Sequence, residues 1–298
     1  MSDTAQIHAG FAALIGRPNV GKSTLLNSLI GQKLSIVTPR PQTTRHRVLG
    51  VLHRPALQIA FVDTPGLHLG AKRSLNKAMN RSAAAAAVDA DVILWVVEAL
   101  RHSPDDALAL QRALAAGRPV IAVVNKVDQI KPRSKLLPYM EELAKQAEFV
   151  DIVPVSAAHG DNLEPLIAAI ARHLPLSPPL FPPDMLTDRD MRFRVAELIR
   201  EKLTLMLNQE LPYGIAVEIE SLEREPERWA VSAVIWVDRE GQKPIVIGKG
   251  GERLKKVGTA VRRELVHMTG ERFHLTLWVK VREGWADDAR ALKSLGLE

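Results

Sequence analysis

The sequence predicts an α/β domain with a doubly wound, mostly parallel sheet, followed by a smaller α+β domain. Apolar runs typical of buried strands alternate with helix-like segments over the first half of the chain, a pattern typical of a parallel sheet covered by helices. A proline-rich stretch follows, which cannot continue a helix and favours an extended connection. A chain of 298 residues with 46% hydrophobic content can form two cores. We therefore predict domains at 1–176 and 191–298, joined by a linker at 177–190.

The first strand-to-helix turn has the pattern of a phosphate-binding loop. Residues 16–23 read Gly-Arg-Pro-Asn-Val-Gly-Lys-Ser, after a strand-like run at 11–15 and before a helix-like run at 23–30. The two glycines let backbone N–H groups point at phosphate oxygens. Lys22 would neutralise the β and γ phosphates, and Ser23 would offer its hydroxyl to Mg²⁺. The candidate nucleotide contacts here are Gly16, Arg17, Pro18, Asn19, Val20, Gly21, Lys22, Ser23 and Thr24.

Two further segments have the positions of nucleotide-sensing switches. Asp63, Thr64, Pro65 and Gly66 follow a strand-like run at 57–62. Asp63 can hold Mg²⁺ through a water, and the Gly66 N–H can reach the γ-phosphate and lose that contact on hydrolysis. A threonine from residues 41–45 should complete the Mg²⁺ shell when GTP is bound, and we favour Thr44 over Thr43. The candidate catalytic residues are Lys22, Thr44, Asp63 and Gly66.

The identity of the nucleotide base is predicted by a motif at the end of another strand. Asn125, Lys126 and Asp128 follow the apolar run at 120–124, where ligands gather in a parallel sheet. The Asp128 carboxylate can accept from guanine N1–H and the 2-amino group, and leaving it buried and unpaired would cost a few kcal/mol with adenine. Ser156 and Ala157 should support Asp128 and present an N–H to guanine O6. Four motifs in order at strand ends predict a P-loop GTPase domain.

The amino-acid composition excludes several classes of protein. The chain has no cysteine, which excludes a disulfide framework and a cysteine nucleophile and fits a cytosolic protein. No apolar run reaches about 18 residues, and the N-terminus has no signal-peptide pattern. We therefore expect a soluble cytoplasmic protein.

The second domain has a different glycine signature. A helix-like segment at 192–207 and two alternating strands precede Gly248-Lys249-Gly250-Gly251, which opens an amphipathic helix followed by another alternating strand. This α+β order resembles a KH domain of the bacterial type, type II, whose Gly-x-x-Gly loop clamps about four single-stranded nucleotides.

Charge supports nucleic-acid binding only locally. The net charge of +6 is modest, but six basic residues and one acid occur between Gly248 and Arg263. Phosphate would lie where these basic residues are concentrated, whereas the alternative is a solvated helix face. The candidate RNA-binding residues are Ile247, Gly248, Lys249, Gly250, Gly251, Arg253 and Lys256.

Together with Pro-Gln-Thr-Thr-Arg-His-Arg at 41–47, Leu-Pro-Tyr-Gly at 211–214 and Val-Ile-Gly-Lys-Gly-Gly at 246–251, these motifs resemble the Era family of bacterial ribosome-assembly GTPases. The resemblance covers nearly the whole chain, although residues 69–71 differ from the Lys-Pro-like residues expected there. It implies a monomer that binds the 3′ end of 16S rRNA on the maturing 30S subunit while GTP is bound. It also implies release on hydrolysis and partial peripheral association with the inner membrane.

Hydrolysis should be slow. Some GTPases place a glutamine directly after this switch glycine to orient water, whereas this chain has Leu67. In several related GTPases an asparagine equivalent to Asn19 helps to bind a K⁺ ion that neutralises phosphate charge, which makes Asn19 a candidate K⁺ ligand. The alternative is that Asn19 bonds its own backbone.

Two other function classes fit parts of the pattern. A membrane-signalling GTPase would use the second domain to reach lipid through Lys, Arg and Trp285. An RNA-binding scaffold would bind GTP with negligible turnover. The Gly-x-x-Gly turn argues against the first, and a single-turnover assay decides the second.

Overall fold

The computed structural model of the chain describes residues 6–67, 74–207 and 211–297, apart from the side chain of Pro212. His68 and residues 69–71, where the chain departs from the Era pattern, lie outside the described residues. Contacts divide the chain into two compact units, one ending at Asp188 and the other beginning at Arg189, with Ser74 and Leu75 grouped with the second unit.

The first unit is an α/β sheet structure. Its described strands and α-helices are β1 (Ile7–Ile15), α1 (Lys22–Ile30), β2 (Val48–Arg54), β3 (Leu57–Asp63), α2 (Ser74–Asp89), β4 (Val92–Glu98), α3 (Pro104–Ala115), β5 (Val120–Asn125), α4 (Leu136–Ala144), β6 (Asp151–Pro154), α5 (Leu163–Ala171) and β7 (Leu176–Ser177). The strand order is β2-β3-β1-β4-β5-β6, with β7 beside β1. β2 and β7 pair antiparallel with their neighbours, and the other pairs are parallel.

The centre of this sheet is buried on both faces. All seven residues of β4 are buried, including Trp95, because a parallel sheet covered by helices on both sides buries consecutive residues. Ala83, Ala86 and Ala87 of α2 lie in the same core and are at most 2% exposed. Small side chains let α2 approach the sheet closely. The predicted doubly wound, mostly parallel architecture is confirmed.

The proline-rich stretch packs along the first unit. Gln58 on β3 accepts from the N–H groups of Leu180 and Phe181 and donates to the Phe181 carbonyl. The Phe181 ring lies edge-on against Phe11, with ring centroids 5.9 Å apart, and the Val51 N–H donates to the Leu186 carbonyl. The first unit therefore extends through Asp188 and includes most of the segment predicted as a linker. The buried Gln58 side chain thus pairs with backbone groups of a stretch whose prolines have no N–H to donate.

The second unit has the order predicted for a KH domain. Its described elements are α6 (Met191–Met206), β8 (Ile215–Arg224), β9 (Trp229–Val237), α7 (Lys243–Ile247), α8 (Glu252–Thr269), β10 (Phe273–Val281) and α9 (Ala289–Ser294). In the sheet, β9 lies between β8, which is antiparallel to it, and β10, which is parallel. Side chains of α6 and α8 share one core with the sheet, including Leu203, Val257, Val261 and Leu265. Across the described parts of both units, no helix has the length and apolar character needed to cross a membrane.

Candidate functional site

The phosphate loop lies between β1 and α1 and closes around one lysine. Asn19 and Gly21 have positive φ values of 64° and 99°, and left-handed residues of this kind occur in backbone turns whose successive N–H groups bind anions. The Lys22 ammonium is buried and donates to the carbonyls of Gly16 and Arg17 at 2.8 and 3.0 Å. Burial lowers the pKa of Lys22 to about 8, although the charge of Asp63 opposes that shift. The loop therefore holds a cation where phosphate would enter.

The three residues predicted to hold Mg²⁺ come together in the first unit. The Ser23 hydroxyl donates to Asp63 Oδ2 at 2.7 Å and lies 2.7 Å from Thr44 Oγ1. Thr43 instead donates to the Arg40 carbonyl and contacts Thr38. The structure thus places Thr44, rather than Thr43, beside Ser23.

These residues fit a hard cation. Asp63 is fully buried, and its Oδ1 has no hydrogen-bond partner in the described part of the chain. Burial raises the pKa of Asp63, against the charge of Lys22 and hydrogen bonds that include the one from Ser23. A buried carboxylate oxygen beside two hydroxyls is the all-oxygen set that Mg²⁺ prefers. Ser23, Thr44 and Asp63 would therefore hold this ion.

The second switch begins in close contact with the phosphate loop. A Cβ added to Gly66 would lie 2.6 Å from the Pro18 nitrogen, so only glycine allows this approach of two backbones. The Leu67 N–H donates to the Gly16 carbonyl at 3.2 Å, and the Leu67 side chain is 3% exposed. The residue after Gly66 is therefore a buried apolar side chain with no group to orient water.

The base-selecting motifs meet at Asn125. Its Nδ2 donates to the Val20 carbonyl at 2.8 Å, and its Oδ1 accepts from the N–H groups of Lys126 and Ala157. The Ser156 hydroxyl donates to Asp128 Oδ1 at 2.6 Å, which is the predicted support. Ser156 and Ala157 are predicted to present an N–H to guanine O6, and here the Ala157 N–H donates to Asn125 Oδ1 at 3.0 Å, because β5 and β6 are neighbours and bring the two segments together.

Two acids in this site escaped sequence reasoning. Glu98 accepts from Lys126 at 2.8 Å and pairs with Arg17 at 3.5 Å, and Asp106 accepts from Arg17 Nε at 2.9 Å. Burial alone would raise the pKa of Glu98, but the hydrogen bond and charge of Lys126, with Arg101 and Arg17, hold it below its usual value. Glu98 ends β4 at the edge where the other motifs lie, which was the available signal.

A cavity of about 360 Å³ lies over the phosphate loop. It is bounded by the loop, by Gly66 and Lys126, and by the segment 36–44. Asn19 Nδ2 donates to the Pro39 carbonyl at 3.1 Å, so the predicted K⁺ ligand lies between the loop and that segment. The volume is in the range of small-ligand sites.

The Gly-x-x-Gly loop connects α7 to α8. Gly248, Gly250 and Gly251 have φ values of 77°, 58° and 79°, which favour glycine. Ile247 is half-buried. Lys249 is exposed, and its ammonium makes no hydrogen bond or ion pair with the described residues, so it is available to phosphate.

The other two predicted RNA contacts are already paired. The Arg253 guanidinium donates to the Ile245 carbonyl and so fixes the loop, and Lys256 pairs with Glu252 at 2.5 Å on the surface. Exposed pairs of this kind contribute little and exchange readily.

Trp285 is not available to a membrane. It is fully buried in the second unit, and its Nε1 donates to the Gly214 carbonyl at 3.1 Å. The membrane-signalling alternative is therefore wrong in assigning Trp285 a lipid contact. The sequence could not reveal this, because the acceptor lies far away in the chain. Trp278 on β10 is instead 56% exposed.

Comparisons with known proteins agree with both units. A family model described as 50S ribosome-binding GTPase matches residues 11–126, and one described as KH domain matches 210–286. The chain is 49% identical to GTPase Era of Marinobacter nauticus, covering 99% of this chain and 97% of the relative. It is 47% identical to GTPase Era of Pseudomonas savastanoi pv. phaseolicola, covering 99% of each.

Two solved structures are similar over almost the full length. A variant of Aquifex aeolicus Era bound to GDP·AlF4⁻ has a TM-score of 0.95 and 41% identity, covering 98% of this chain and 99% of that one. Era in complex with MgGDPNP and nucleotides 1506–1542 of 16S ribosomal RNA has the same TM-score, identity and coverage.

Proposed function

Because the chain belongs to the Era family of GTPases, we propose that it binds and hydrolyses GTP and, while GTP is bound, holds the 3′ end of 16S rRNA. On this proposal it promotes processing and maturation of the 30S subunit, and hydrolysis releases it. The observation that carries the nucleotide part is the cluster of Ser23, Thr44 and Asp63, in which Asp63 Oδ2 accepts from Ser23 and the buried Asp63 Oδ1 is unpaired among the described residues.

Different residues of the first unit have different roles in GTP hydrolysis. The phosphate loop and Lys22 hold the β and γ phosphates, and the Gly66 N–H donates to the γ-phosphate. When bound, Mg²⁺ neutralises charge on the β and γ oxygens. Leu67 cannot position water, since it is apolar and buried. Intrinsic turnover is therefore slow, and the rate depends on a group supplied from elsewhere.

A monovalent cation is one such group. We propose that the Asn19 amide oxygen binds K⁺ next to the phosphates. The hydrogen bond from Asn19 Nδ2 to the Pro39 carbonyl supports this role, because it fixes the amide between the phosphate loop and the segment that carries Thr44. A K⁺ ion there would oppose the negative charge that develops on the transferred phosphoryl group.

RNA binding is proposed for the Gly-x-x-Gly loop. The left-handed glycines and the unpaired Lys249 form the kind of loop that clamps a nucleic-acid backbone. A solved Era carries nucleotides 1506–1542 of 16S rRNA. We propose the 3′ end of 16S rRNA as the RNA target of this chain because of its similarity to that Era structure.

We also propose a monomer in the cytoplasm, part of it peripheral on the inner membrane. The family resemblance supports this placement. Flotation with anionic vesicles, with and without RNA, tests the membrane part, and a vesicle-bound fraction that RNA does not change would favour a separate lipid-binding function.

The experiment that tests the switch is a thermodynamic cycle. RNA affinity is measured with GDP and with GDPNP, and the affinities of GDP and GDPNP are each measured with and without RNA. By linkage, the ratio of the two RNA affinities must equal the factor by which RNA tightens GDPNP divided by the factor by which RNA tightens GDP. We expect a coupling of about 1–3 kcal/mol, or about 5–150-fold.

The control for this cycle is a variant in which Lys249 and Gly250 are both changed to Asp. It should bind GDPNP normally and show no effect of RNA. Equal RNA affinity in both nucleotide states would contradict the switch. A single-turnover assay that shows no phosphate release would leave a GTP-binding RNA scaffold.

A further inference from the structure

A second basic cleft lies in the second unit, at the end of α8 that is remote from the Gly-x-x-Gly loop. It is formed by the C-terminal half of α8, the turn between β8 and β9 and the start of β10, and its volume is about 540 Å³. Val266 and Phe273 contribute apolar surface to it.

The charge of this cleft is strongly one-sided. Four arginines line it, and the one acidic residue among its lining residues is Glu227. Arg228 is partly neutralised by Glu225 at 2.7 Å. The side chains of Arg263 and Arg272 are exposed and make no hydrogen bond or ion pair with the described residues. Unpaired guanidinium groups on a concave surface suit phosphate, which they can bind through two parallel hydrogen bonds.

The cleft continues along one face of α8 towards the Gly-x-x-Gly loop. A second concavity of about 430 Å³ on this helix begins at Glu252, the residue after the loop, and is otherwise lined by Lys255, Lys256, Thr259, Ala260 and Arg263. Thr259 and Arg263 belong to both concavities. From Gly251 to Arg263 the helix rises by about 18 Å. We call this surface the α8 track, comprising Lys255, Lys256, Thr259, Arg262, Arg263 and Arg272.

We propose that the α8 track binds the backbone of the same single-stranded RNA beyond the nucleotides held by the Gly-x-x-Gly loop. This inference rests on the proposed RNA-binding function. A KH loop by itself accounts for about four nucleotides, whereas the track extends the basic surface by a further 18 Å or so. An acidic protein segment could also bind to these arginines, but the position of the track next to the Gly-x-x-Gly loop favours RNA.

The test compares two lengths of RNA in two variants. The full chain is titrated with oligoribonucleotides of about four and about ten nucleotides from the 16S rRNA 3′ end, at several salt concentrations. Arg263→Gln with Arg272→Gln removes two track charges. Arg290→Gln with Lys293→Gln removes two exposed charges on α9 and is the matched control. Melting temperatures equal to that of the parent verify that both variants fold normally.

If the α8 track binds RNA, the loss of RNA affinity in the track variant should depend on RNA length. The track variant should bind the longer RNA at least about tenfold more weakly than the parent and lower its salt slope by about 1.4, since each single-strand phosphate contact contributes about 0.7. Its affinity for the shorter RNA should stay at the parent value, and the control variant should match the parent with both.

Three outcomes would overturn the inference. If the track and control variants bind the longer RNA equally well, the track does not contact RNA, while the proposed RNA function stands. A loss that is equal for both lengths would place the two arginines at the clamp itself. If the parent binds neither RNA, the proposed RNA function fails, and the track assignment fails with it.

Discussion

The side-chain amide of Asn125 donates to the Val20 carbonyl at 2.8 Å, so the base-selecting motif is bonded directly to the phosphate loop. The approach is close, since a Cβ on Gly21 would lie 2.3 Å from Asn125 Nδ2. The same amide accepts from Ala157. One buried side chain therefore joins three segments that are remote in the chain.

Asn125→Asp should weaken GTP and GDP binding together. The carboxylate cannot donate to Val20 and places two oxygens face to face, and an unsatisfied buried group of this kind costs about 1–3 kcal/mol. We expect affinity to fall by about 5–150-fold in a fluorescent-GDP displacement assay. Asn162→Asp is the control, because Asn162 donates to the Pro154 carbonyl in an exposed position. An unchanged affinity in Asn125→Asp would show that this bond does not organise the site.

Asp128→Asn should exchange guanine for xanthine. The amide cannot accept from both guanine donors, whereas it can donate to the extra carbonyl of xanthine. Because charge-assisted hydrogen bonds contribute about 1.5–3 kcal/mol each, GTP affinity should fall at least about tenfold. Competition by GTP, XTP and ATP against a fluorescent nucleotide measures this. A variant that binds GTP like the parent and still rejects XTP would contradict the base assignment.

Gly66→Ala should impair hydrolysis and leave GDP binding intact. The new Cβ would lie 2.6 Å from the backbone of Pro18, so the Gly66 N–H could not reach the γ-phosphate. Loss of one such donor typically costs about 100-fold or more in rate, and single-turnover phosphate release measures it. Gly241→Ala is the control, since nothing lies within 4 Å of a Cβ there. A normal rate in Gly66→Ala would show that the γ-phosphate contact is dispensable.

Asn19→Ala should abolish a response to K⁺. We expect the parent to hydrolyse GTP faster when K⁺ replaces Na⁺ at equal ionic strength, because a cation beside the phosphates opposes developing charge. The variant should lose this difference and keep its GDP affinity. Equal rates of the parent in both salts would remove K⁺ from the mechanism.

Glu98→Gln should loosen nucleotide binding without altering base choice. Glu98 accepts from Lys126 and pairs with Arg17, so the neutral amide leaves both cations less well held. We expect GTP and GDP affinity to fall by about tenfold, consistent with a loss of about 1.5 kcal/mol, while discrimination against ATP persists through Asp128. Glu142→Gln removes a surface pair with Lys145 and should have no effect. A change in base selectivity would instead place Glu98 at the base.

The motifs could be read from the chain because their geometry is local. The turn at 16–23 and the Gly-x-x-Gly turn depend on backbone torsions of contiguous residues, and helix or strand patterns on either side identify their context. The placement of Asp63 and Asn125 at strand ends follows from the same patterns, since parallel strands end at a common edge. The architecture of both units was predictable for this reason.

Tertiary packing decided which of several chemically equivalent groups reaches the site. Thr44 and Thr43 are neighbours in sequence, yet only Thr44 contacts Ser23, because the fold of the segment turns Thr43 towards Arg40. The pairing of Arg17 with Glu98 and Asp106 joins residues more than 80 positions apart. Burial of Trp285 also depends on a distant partner. Sequence patterns encode local torsion and periodicity, whereas long-range pairing is settled by competition among side chains within the packed fold.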